Sequence, residues 1–148
     1  MLWILLTAIE KILKHSKINK INYLEAENIL LIHSAIISEI GGSHGVRDIE
    51  RVGGIIAHPQ QFVFGKEVRK GIFEKAAAYG HDIIKYHPFI DGNKRTGMTS
   101  MAVFLELNGY RLEVKEGMIE KMAISIIIDK LEIPDIASWL QKWSKKKN

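Results

Sequence analysis

The sequence predicts an all-α protein with one short β-hairpin, on three observations. Apolar residues recur every three or four positions along most of the chain, as in helices packed on a core. Only Phe62-Val63-Phe64-Gly65 alternates with period two and then turns, which is typical of a short hairpin. The 148 residues, 47% of them hydrophobic, suffice for one domain with its own core, and no linker or repeat divides them.

Apolar stripes predict the helices of this bundle. The first stripe ends at Gly41-Gly42, the third stops at Asn108-Gly109, and the last has Pro134 in its first turn, where proline is tolerated. We expect the glycines at 41–45 and 53–54 to form loops. Neither stretch predicts a phosphate loop, because no Gly-Lys-Ser/Thr follows. The stripes cover residues 29–40, 72–84, 98–105, 118–126 and 136–143.

The first 22 residues are expected to form an extra helix packed on the body. Apolar residues at positions 2, 5, 6, 9, 12 and 13 fit one helical stripe. The stretch is too short to span a membrane and lacks the basic start of a signal peptide. The sequence therefore predicts a cytoplasmic protein without a membrane partner.

Charge and cysteine content exclude several classes of function. Lys142, Lys145, Lys146 and Lys147 together equal the net charge of +4, so the rest of the chain is neutral. We therefore expect residues 144–148 to be a solvated basic tail, with nucleic-acid binding by this tail as the alternative. The chain has no cysteine, which excludes disulfides, thiolate zinc sites and cysteine nucleophiles.

Residues 87–95 place unusual chemistry between two predicted helices. Pro88 disfavours helical backbone at His87, so the preceding helix must end there. The next helix is expected to begin between Asn93 and Thr96. Gly92 allows the backbone to approach a ligand closely, and the free N–H groups of a helix start bind anions such as phosphate.

The side chains of this segment suit phosphate chemistry. Lys94 and Arg95 are cations at a helix N-terminus, which the helix dipole disfavours, so their presence suggests a negatively charged ligand. Asp91 offers hard oxygen atoms for Mg²⁺. His87 has a pKa near neutrality in its ordinary state, which suits a base that takes a proton from a hydroxyl group.

Each residue also has a purely structural explanation, which stays open at this stage. His87 could be a helix cap, and Asp91-Gly92-Asn93 could be an ordinary turn. Lys94 and Arg95 could be surface charges. Phe89 is expected to be a core residue that anchors the loop under either interpretation. The conjunction of all these residues within one segment favours the functional interpretation. Outside it, His33 is interpreted as a core histidine with a hydrogen-bond partner.

Residues 87–95 resemble the signature of the Fic and Doc proteins, together the Fido family. Fic proteins have His-x-Phe-x-Asp/Glu-Gly-Asn-Gly-Arg-x-x-Arg, and Doc, the death-on-curing toxin, has His-x-Phe-x-Asp-Ala-Asn-Lys-Arg. The likeness extends from about residue 23 to residue 143, which is the expected Fic/Doc domain. This chain reads His87-Pro88-Phe89-Ile90-Asp91-Gly92-Asn93-Lys94-Arg95.

The resemblance implies a Fido-type helical bundle with a hairpin flap, and it assigns a role to each matching residue. His87 matches the catalytic base and Asp91 the Mg²⁺ ligand, with ATP as the nucleotide. Gly92 and Asn93 match the anion-binding turn, and Arg95 matches a phosphate-binding arginine. Doc also has a basic residue two positions before its histidine, so Lys85 is a candidate phosphate contact. The residues that match the target-binding flap are Phe62, Val63 and Phe64.

Two departures from the Fic signature favour the Doc reaction. Lys94 replaces the second Fic glycine, as in Doc, and Met98 replaces the final arginine. Because Doc binds the nucleotide in the reverse sense, the resemblance implies a kinase that phosphorylates Ser or Thr on a target protein. Elongation factor Tu is the suspected target. AMP transfer of the Fic type is the alternative, and a non-catalytic nucleotide- or partner-binding module is the second alternative.

The chain lacks the self-inhibitory Ser/Thr-x-x-x-Glu-Gly/Asn motif of many Fic proteins. Glu27-Asn28 and Glu116-Gly117 match its end, but Tyr23 and Leu112 occupy the hydroxyl positions. A separate protein is therefore expected to restrain the enzyme. By resemblance, this partner is a Phd-type antitoxin, which makes the chain the toxin of a toxin–antitoxin pair.

Overall fold

The structure, a computed structural model, describes residues 7, 10–12 and 20–148. It confirms an all-α fold with a short hairpin, and it adds a second two-stranded sheet. A 3₁₀ turn, His58–Gln60, follows the helix Ile49–Ala57. The helices are α1 (Ala26–Ile40), α2 (Ile49–Ala57), α3 (Gly71–Tyr86), α4 (Asn93–Leu107), α5 (Met118–Ile128) and α6 (Ile133–Lys142), and the strands are β1 (Phe62–Val63), β2 (Lys66–Glu67), β3 (Tyr110–Leu112) and β4 (Ser144–Lys146).

Helices α3 and α4 pack closely against each other at the centre of the bundle. Two glycines allow this approach. A Cβ atom added to Gly80 would lie 2.5 Å from Cγ of Met101, and one added to Gly97 would lie 2.6 Å from Cγ1 of Ile84. The end of α3 and the start of α4 flank residues 87–92, so this packing fixes both sides of that loop.

The core lies between α3, α4 and the helices around them. Tyr79 of α3 is fully buried, and its hydroxyl accepts a hydrogen bond from Leu24 N at 2.9 Å. Burial raises the pKa of Tyr79, so the hydroxyl stays protonated. Helix α1 packs on α4 and buries its apolar face, which also includes His33. The largest fully buried apolar side chains of the core include Phe89, Phe104, Leu24, Ile29, Ile32, Ile36, Ile55, Ile83, Ile84 and Met98.

The expectation of a loop at Gly53-Gly54 is wrong, because both residues lie inside α2. Asp48 caps this helix by accepting a hydrogen bond from Arg51 N, and Val52 and Ile55 bury one face of it. Burial of that face outweighs the cost of glycine in a helix, which is about 1 kcal/mol per residue relative to alanine. The other expected glycine loop, at 41–45, is confirmed.

The expectation of a solvated basic tail at residues 144–148 also needs correction. Ser144–Lys146 forms β4, which pairs antiparallel with β3. Nζ of Lys147 lies 2.6 Å from Oε2 of Glu106. Burial alone would raise the pKa of Glu106, but hydrogen bonds from Lys147 and Arg111 outweigh it and lower that pKa. The lysines at 145 and 146 keep exposed side chains, while the backbone that bears them belongs to the fold.

The predicted extra helix at residues 1–22 lies mostly outside the described residues. Residues 7 and 10–12 are helical, and Ile12 is buried with the core cluster. Among the helices that the structure describes, none is both long and apolar enough to cross a bilayer.

The predicted flap is a two-residue hairpin between α2 and α3. Val63 pairs with Lys66, and Phe62 pairs with Glu67. The turn residues Phe64 and Gly65 have φ values of 51° and 74°, the positive φ that the tightest hairpin turns require at both positions. Phe64 is fully exposed, so the flap ends in an aromatic ring that contacts solvent.

Candidate active site

His87 lies at the C-terminal end of α3 and is its cap residue. Its backbone is left-handed, with φ 50° and ψ 60°, and its N–H donates to Ile83 O at 3.2 Å. Pro88 prevents the helix from continuing, so the chain turns at His87. The side chain of His87 is exposed. His87 is therefore a helix cap with an accessible ring, which is compatible with the functional interpretation.

The Arg47 side chain binds the carbonyl groups at the C-terminal end of α3. Its Nε donates to His87 O at 2.8 Å, and one terminal nitrogen donates to Tyr86 O at 2.9 Å. The guanidinium thus satisfies two carbonyl groups that a helix end leaves without partners, and its charge suits the negative end of the helix dipole. Arg47 therefore fixes the backbone on which His87 stands.

The loop at residues 42–48, hereafter the template loop, runs antiparallel to residues 87–91. Pro88 O accepts hydrogen bonds from the N–H groups of Arg47 and Asp48 at 2.8 and 3.1 Å. Val46 forms a β-bridge with Phe89, and Ile90 N donates to Gly45 O at 3.1 Å. Each residue of 87–91 consequently has a backbone or side-chain contact with the template loop.

Phe89 anchors the motif in the core, as expected. Its ring is 1% exposed and stacks on His33 with centroids 3.8 Å apart and an interplanar angle of 5°. Phe89 N donates to Oδ1 of Asn93 at 3.0 Å, and Nδ2 of Asn93 donates back to Phe89 O at 2.9 Å. Asn93, predicted to bind anions, therefore uses its side chain to close the loop.

His33 is a buried histidine with a hydrogen-bond partner, as the sequence suggests, but that partner belongs to the motif. Its Nε2 lies 2.7 Å from Asp91 O. A carbonyl oxygen can only accept, so Nε2 bears the proton and donates it. Burial lowers the pKa of His33, which keeps the ring neutral, although the hydrogen bond to Asp91 opposes this shift.

Asp91 is exposed, and backbone N–H groups orient its carboxylate. Oδ1 accepts from Gly92 N at 2.8 Å, and Oδ2 accepts from Ser43 N at 3.1 Å. A Cβ atom on Gly42 would lie 2.6 Å from Oδ2, so glycine is needed where the template loop passes this carboxylate. Each oxygen keeps lone pairs for a further ligand, and an oriented carboxylate of this kind fits Mg²⁺.

Helix α4 begins at Asn93, within the predicted range, and Gly92 is its left-handed cap residue with φ 77°. The first N–H groups of a helix have no carbonyl partner within it, so those of this turn can bind an anion. Lys94 and Arg95 are exposed at this end. Met98 is 2% exposed and belongs to the core, so it offers no polar contact to a ligand.

A cavity of about 450 Å³ adjoins His87 at the C-terminal end of α3. His87 and Lys85 both line it, together with Ile126, Ile127 and Glu132 from α5 and the start of α6. The structure therefore brings Lys85 and His87 together beside an open space that is large enough for part of a ligand.

The flap makes no hydrogen bond or ring contact with the motif among the described residues. This holds for Phe62, Val63 and Phe64 against residues 87–95. A bound chain would have to bridge the distance between them.

Sequence reasoning missed the residues of the template loop and the role of His33. The sequence pattern assigns no role to Arg47, and it indicates His33 only as a core residue. A local sequence pattern does not show that Arg47 reaches a carbonyl group forty positions away. The one usable indication was Gly41-Gly42-Ser43-His44-Gly45, because so many small residues often mark a close backbone approach.

Comparison with known proteins identifies the family of this chain. Residues 23–105 match the model of the Fic/DOC family. Toxin Doc of Mycolicibacterium smegmatis is 34% identical over 90 residues, which cover 61% of this chain and 67% of that protein. Protein kinase doc of Escherichia phage P1 is also 34% identical over 90 residues, which cover 61% of this chain and 71% of that protein. The chain belongs to the Fic/Doc family.

Proposed function

We propose that this protein is a Doc-like kinase that transfers the terminal phosphate of ATP to a Ser or Thr hydroxyl of a target protein. The observation that supports this most is the contrast between backbone and side chains at residues 87–91. The template loop fixes the backbone of His87 and Asp91, while both side chains are exposed. A fixed scaffold with accessible reactive groups is what positional and electrostatic catalysis requires.

In the proposed reaction, a ring nitrogen of His87 takes the proton of the target hydroxyl. The hydroxyl oxygen forms a bond to the terminal phosphorus, and the bond from that phosphorus to the bridging oxygen breaks, so that ADP leaves. The N–H groups of the α4 start, with Arg95 and Lys94, hold the phosphate oxygens. Lys85 faces the same cavity as His87 and is proposed as a further phosphate contact.

Asp91 is proposed to hold Mg²⁺ together with the phosphates of the nucleotide. When bound, the ion neutralises charge on the phosphate oxygens. Within the protein, Gly92 N and Ser43 N orient the Asp91 carboxylate. The flap residues Phe62, Val63 and Phe64 are proposed to hold the target chain beside His87.

Two features favour phosphate transfer over AMP transfer. Lys94 adds a cation and side-chain volume at the start of α4, where Fic proteins have glycine. Met98, at the position of the final Fic arginine, is buried and cannot grip further phosphates. The name of one relative, Protein kinase doc, agrees with this choice.

The toxin role is proposed from the relatives named Toxin Doc and Protein kinase doc. The proposed organisation is a Fic/Doc domain at 23–143 with an extra N-terminal helix. We propose that the protein acts in the cytoplasm and that a Phd-type antitoxin restrains it. A translation factor such as elongation factor Tu is the proposed target.

A growth experiment tests the toxin role. We expect expression of the chain alone to slow growth of its host and His87→Ala to relieve this. Equal growth of both strains at equal protein levels would contradict the toxin role.

Mass spectrometry tests the reaction itself. Elongation factor Tu and other candidate targets are incubated with the protein, Mg²⁺ and ATP. A gain of phosphate on one Ser or Thr supports the proposal, and a gain of AMP contradicts it, because the two additions differ greatly in mass. No modification of any target, with intact protein and bound nucleotide, would support a non-catalytic binding module instead.

A further inference from the structure

Lys75 is a fully buried lysine in the middle of α3, with its side chain 1% exposed. Its Nζ donates hydrogen bonds to Arg69 O at 2.7 Å and to Pro59 O at 3.1 Å. Oε2 of Glu67 lies 3.6 Å from the same nitrogen. A buried charge is costly without partners. Here two N–H groups of Lys75 donate to carbonyl groups, while the Glu67 carboxylate and the Tyr23 ring, whose centroid lies 5.7 Å from Nζ, also face the charge.

The hydrogen-bond and ion-pair partners of Lys75 all belong to the segment that bears the flap. Pro59 precedes strand β1, Glu67 belongs to β2, and Arg69 follows it. Between them, Val68 N donates to Gln61 O at 2.9 Å and closes the base of the hairpin. One buried ammonium group therefore joins the incoming and the outgoing chain of the flap to α3.

A second set of contacts ties the same segment to α3 nearer His87. Nε of Arg69 donates to Nε2 of His58 at 3.0 Å, and Nδ1 of His58 lies 2.6 Å from Oδ2 of Asp82. Because Nε2 accepts from Arg69, the proton of neutral His58 lies on Nδ1 and is donated to Asp82. The other oxygen of Asp82 accepts from Nδ1 of His81 at 2.8 Å.

Both sets of contacts end on the helix that has His87 as its cap. A helix rises about 1.5 Å per residue, so Lys75 lies roughly 18 Å and Asp82 roughly 7.5 Å along the axis from His87. The helix is rigid and packed on α4. It therefore sets the position of the flap base relative to the proposed catalytic base, while the flap tip at Phe64 stays exposed.

The lysine at this position has a local role in the flap base. An apolar side chain of similar length would fill the same volume, but it would leave Pro59 O and Arg69 O without these donors. What Lys75 adds is a defined position of those two carbonyl groups, and hence of the hairpin between them.

We propose that Lys75 is a positioning residue. It fixes the base of the flap at one position along α3, so that a target chain bound to the flap reaches His87. The inference rests on the proposed function only in the use of the flap for target binding. It assigns Lys75 no contact with ATP or with the reacting atoms. Its loss should therefore weaken the binding of the protein target and leave nucleotide binding unchanged.

The test compares Lys75→Met with Lys121→Met, the same substitution at an exposed lysine of α5. Hydrogen exchange of the intact protein should show flap amides at 61–68 exchanging about tenfold faster in Lys75→Met, since charged hydrogen bonds are lost. Exchange in α4 should match the parent. The KM for the protein target should rise about tenfold, while the KM for ATP and kcat stay within twofold.

A milder variant separates positioning from folding. Glu67→Gln removes the charge that faces Lys75 but keeps both carbonyl contacts, so it should change flap exchange in the same direction and by less. Faster exchange throughout Lys75→Met, without preference for residues 61–68, would overturn the proposal, as would a rise in the KM for ATP equal to that for the target. If the parent modifies no target yet flap exchange changes as expected, the proposed function fails and the positioning of the flap by Lys75 stands.

Discussion

Two loops flank α3, and the structure fixes them in opposite ways. The motif loop at residues 87–92 pairs along its length with the template loop, and its Phe89 is 1% exposed. The flap at residues 61–68 is bonded only at its base within the described chain, and its Phe64 is fully exposed. One loop inserts its aromatic ring into the core, and the other presents its ring to solvent.

This difference matches two different tasks. Groups that stabilise a moving phosphate must stand in position before the reaction, because reorganisation during the reaction would raise the barrier. A surface that receives a protein chain needs a fixed root and an adaptable tip. Large exposed aromatic side chains also commonly mark sites of protein contact. The motif loop is therefore interpreted as the preorganised site, and the flap as the recognition element.

The largest expected effect lies at the proposed base. His87→Ala should lower kcat by about 10²–10⁴, the usual span for loss of a general base. The side chain is exposed, so stability should hardly change. Single-turnover kinetics with the identified target measures the rate, and calorimetry with ATP provides the control. A rate within threefold of the parent would remove His87 from the chemistry.

The next effect tests the fixed loop with a matched pair of glycines. Gly41 and Gly42 both have positive φ, 97° and 115°, so alanine should strain either by about 1–3 kcal/mol. A Cβ atom at Gly42 would lie 2.6 Å from Oδ2 of Asp91, whereas one at Gly41 meets nothing within 4 Å. Gly42→Ala should therefore displace the carboxylate and weaken Mg²⁺-dependent nucleotide binding by about 10–100-fold, as loss of a ligand's support does.

Gly41→Ala controls for backbone strain in this comparison. It should bind the nucleotide in Mg²⁺ like the parent, although its unfolding temperature falls. Equal losses of Mg²⁺-dependent affinity in both variants, measured by calorimetry, would mean that strain and not Asp91 governs binding.

A smaller effect is expected at the flap tip. Phe64→Asn should suit the turn better, because asparagine tolerates positive φ and Asn-Gly favours tight hairpins. The unfolding temperature should therefore stay equal or rise. The KM for the protein target should nevertheless increase about tenfold, as expected for loss of an aromatic contact. An unchanged KM for the target would exclude Phe64 from recognition.

The smallest effect concerns pH and His33. Burial lowers the pKa of His33 in the folded protein, so the unfolded chain binds its proton more tightly. The contribution of neutral His33 to the free energy of unfolding is complete above the ordinary histidine pKa of about 6.5. It is lost as the pH falls towards the lowered pKa of His33 in the folded protein. In His33→Gln, which keeps a donor for Asp91 O, the free energy of unfolding should fall less between pH 7 and pH 5. Identical pH dependence in urea titrations would contradict this assignment.

Sequence reasoning located what local patterns determine. Pro88 placed the end of α3 at His87, the glycine turn placed the start of α4, and period-two alternation with Gly65 located the hairpin. It failed where contacts between residues far apart in sequence determine the local structure. Gly53-Gly54 is helical because the apolar residues beside it are buried. The lysine-rich segment at 144–146 forms a strand because it pairs with the edge of β3. The template loop acts through partners about forty positions away, and the Lys75 side chain joins Pro59 and Arg69 from the two sides of a hairpin, which a local pattern does not show.

The most direct test of the central claim uses two labels on ATP. The protein and its target are incubated with Mg²⁺ and ATP labelled on the terminal phosphate, in parallel with ATP labelled on the first phosphate. Exposed Lys94 and buried Met98 predict that only the terminal-phosphate label reaches the protein target, and that His87→Ala abolishes it. Transfer of the first-phosphate label would contradict the proposed nucleotide orientation and would make AMP transfer the reaction of this site.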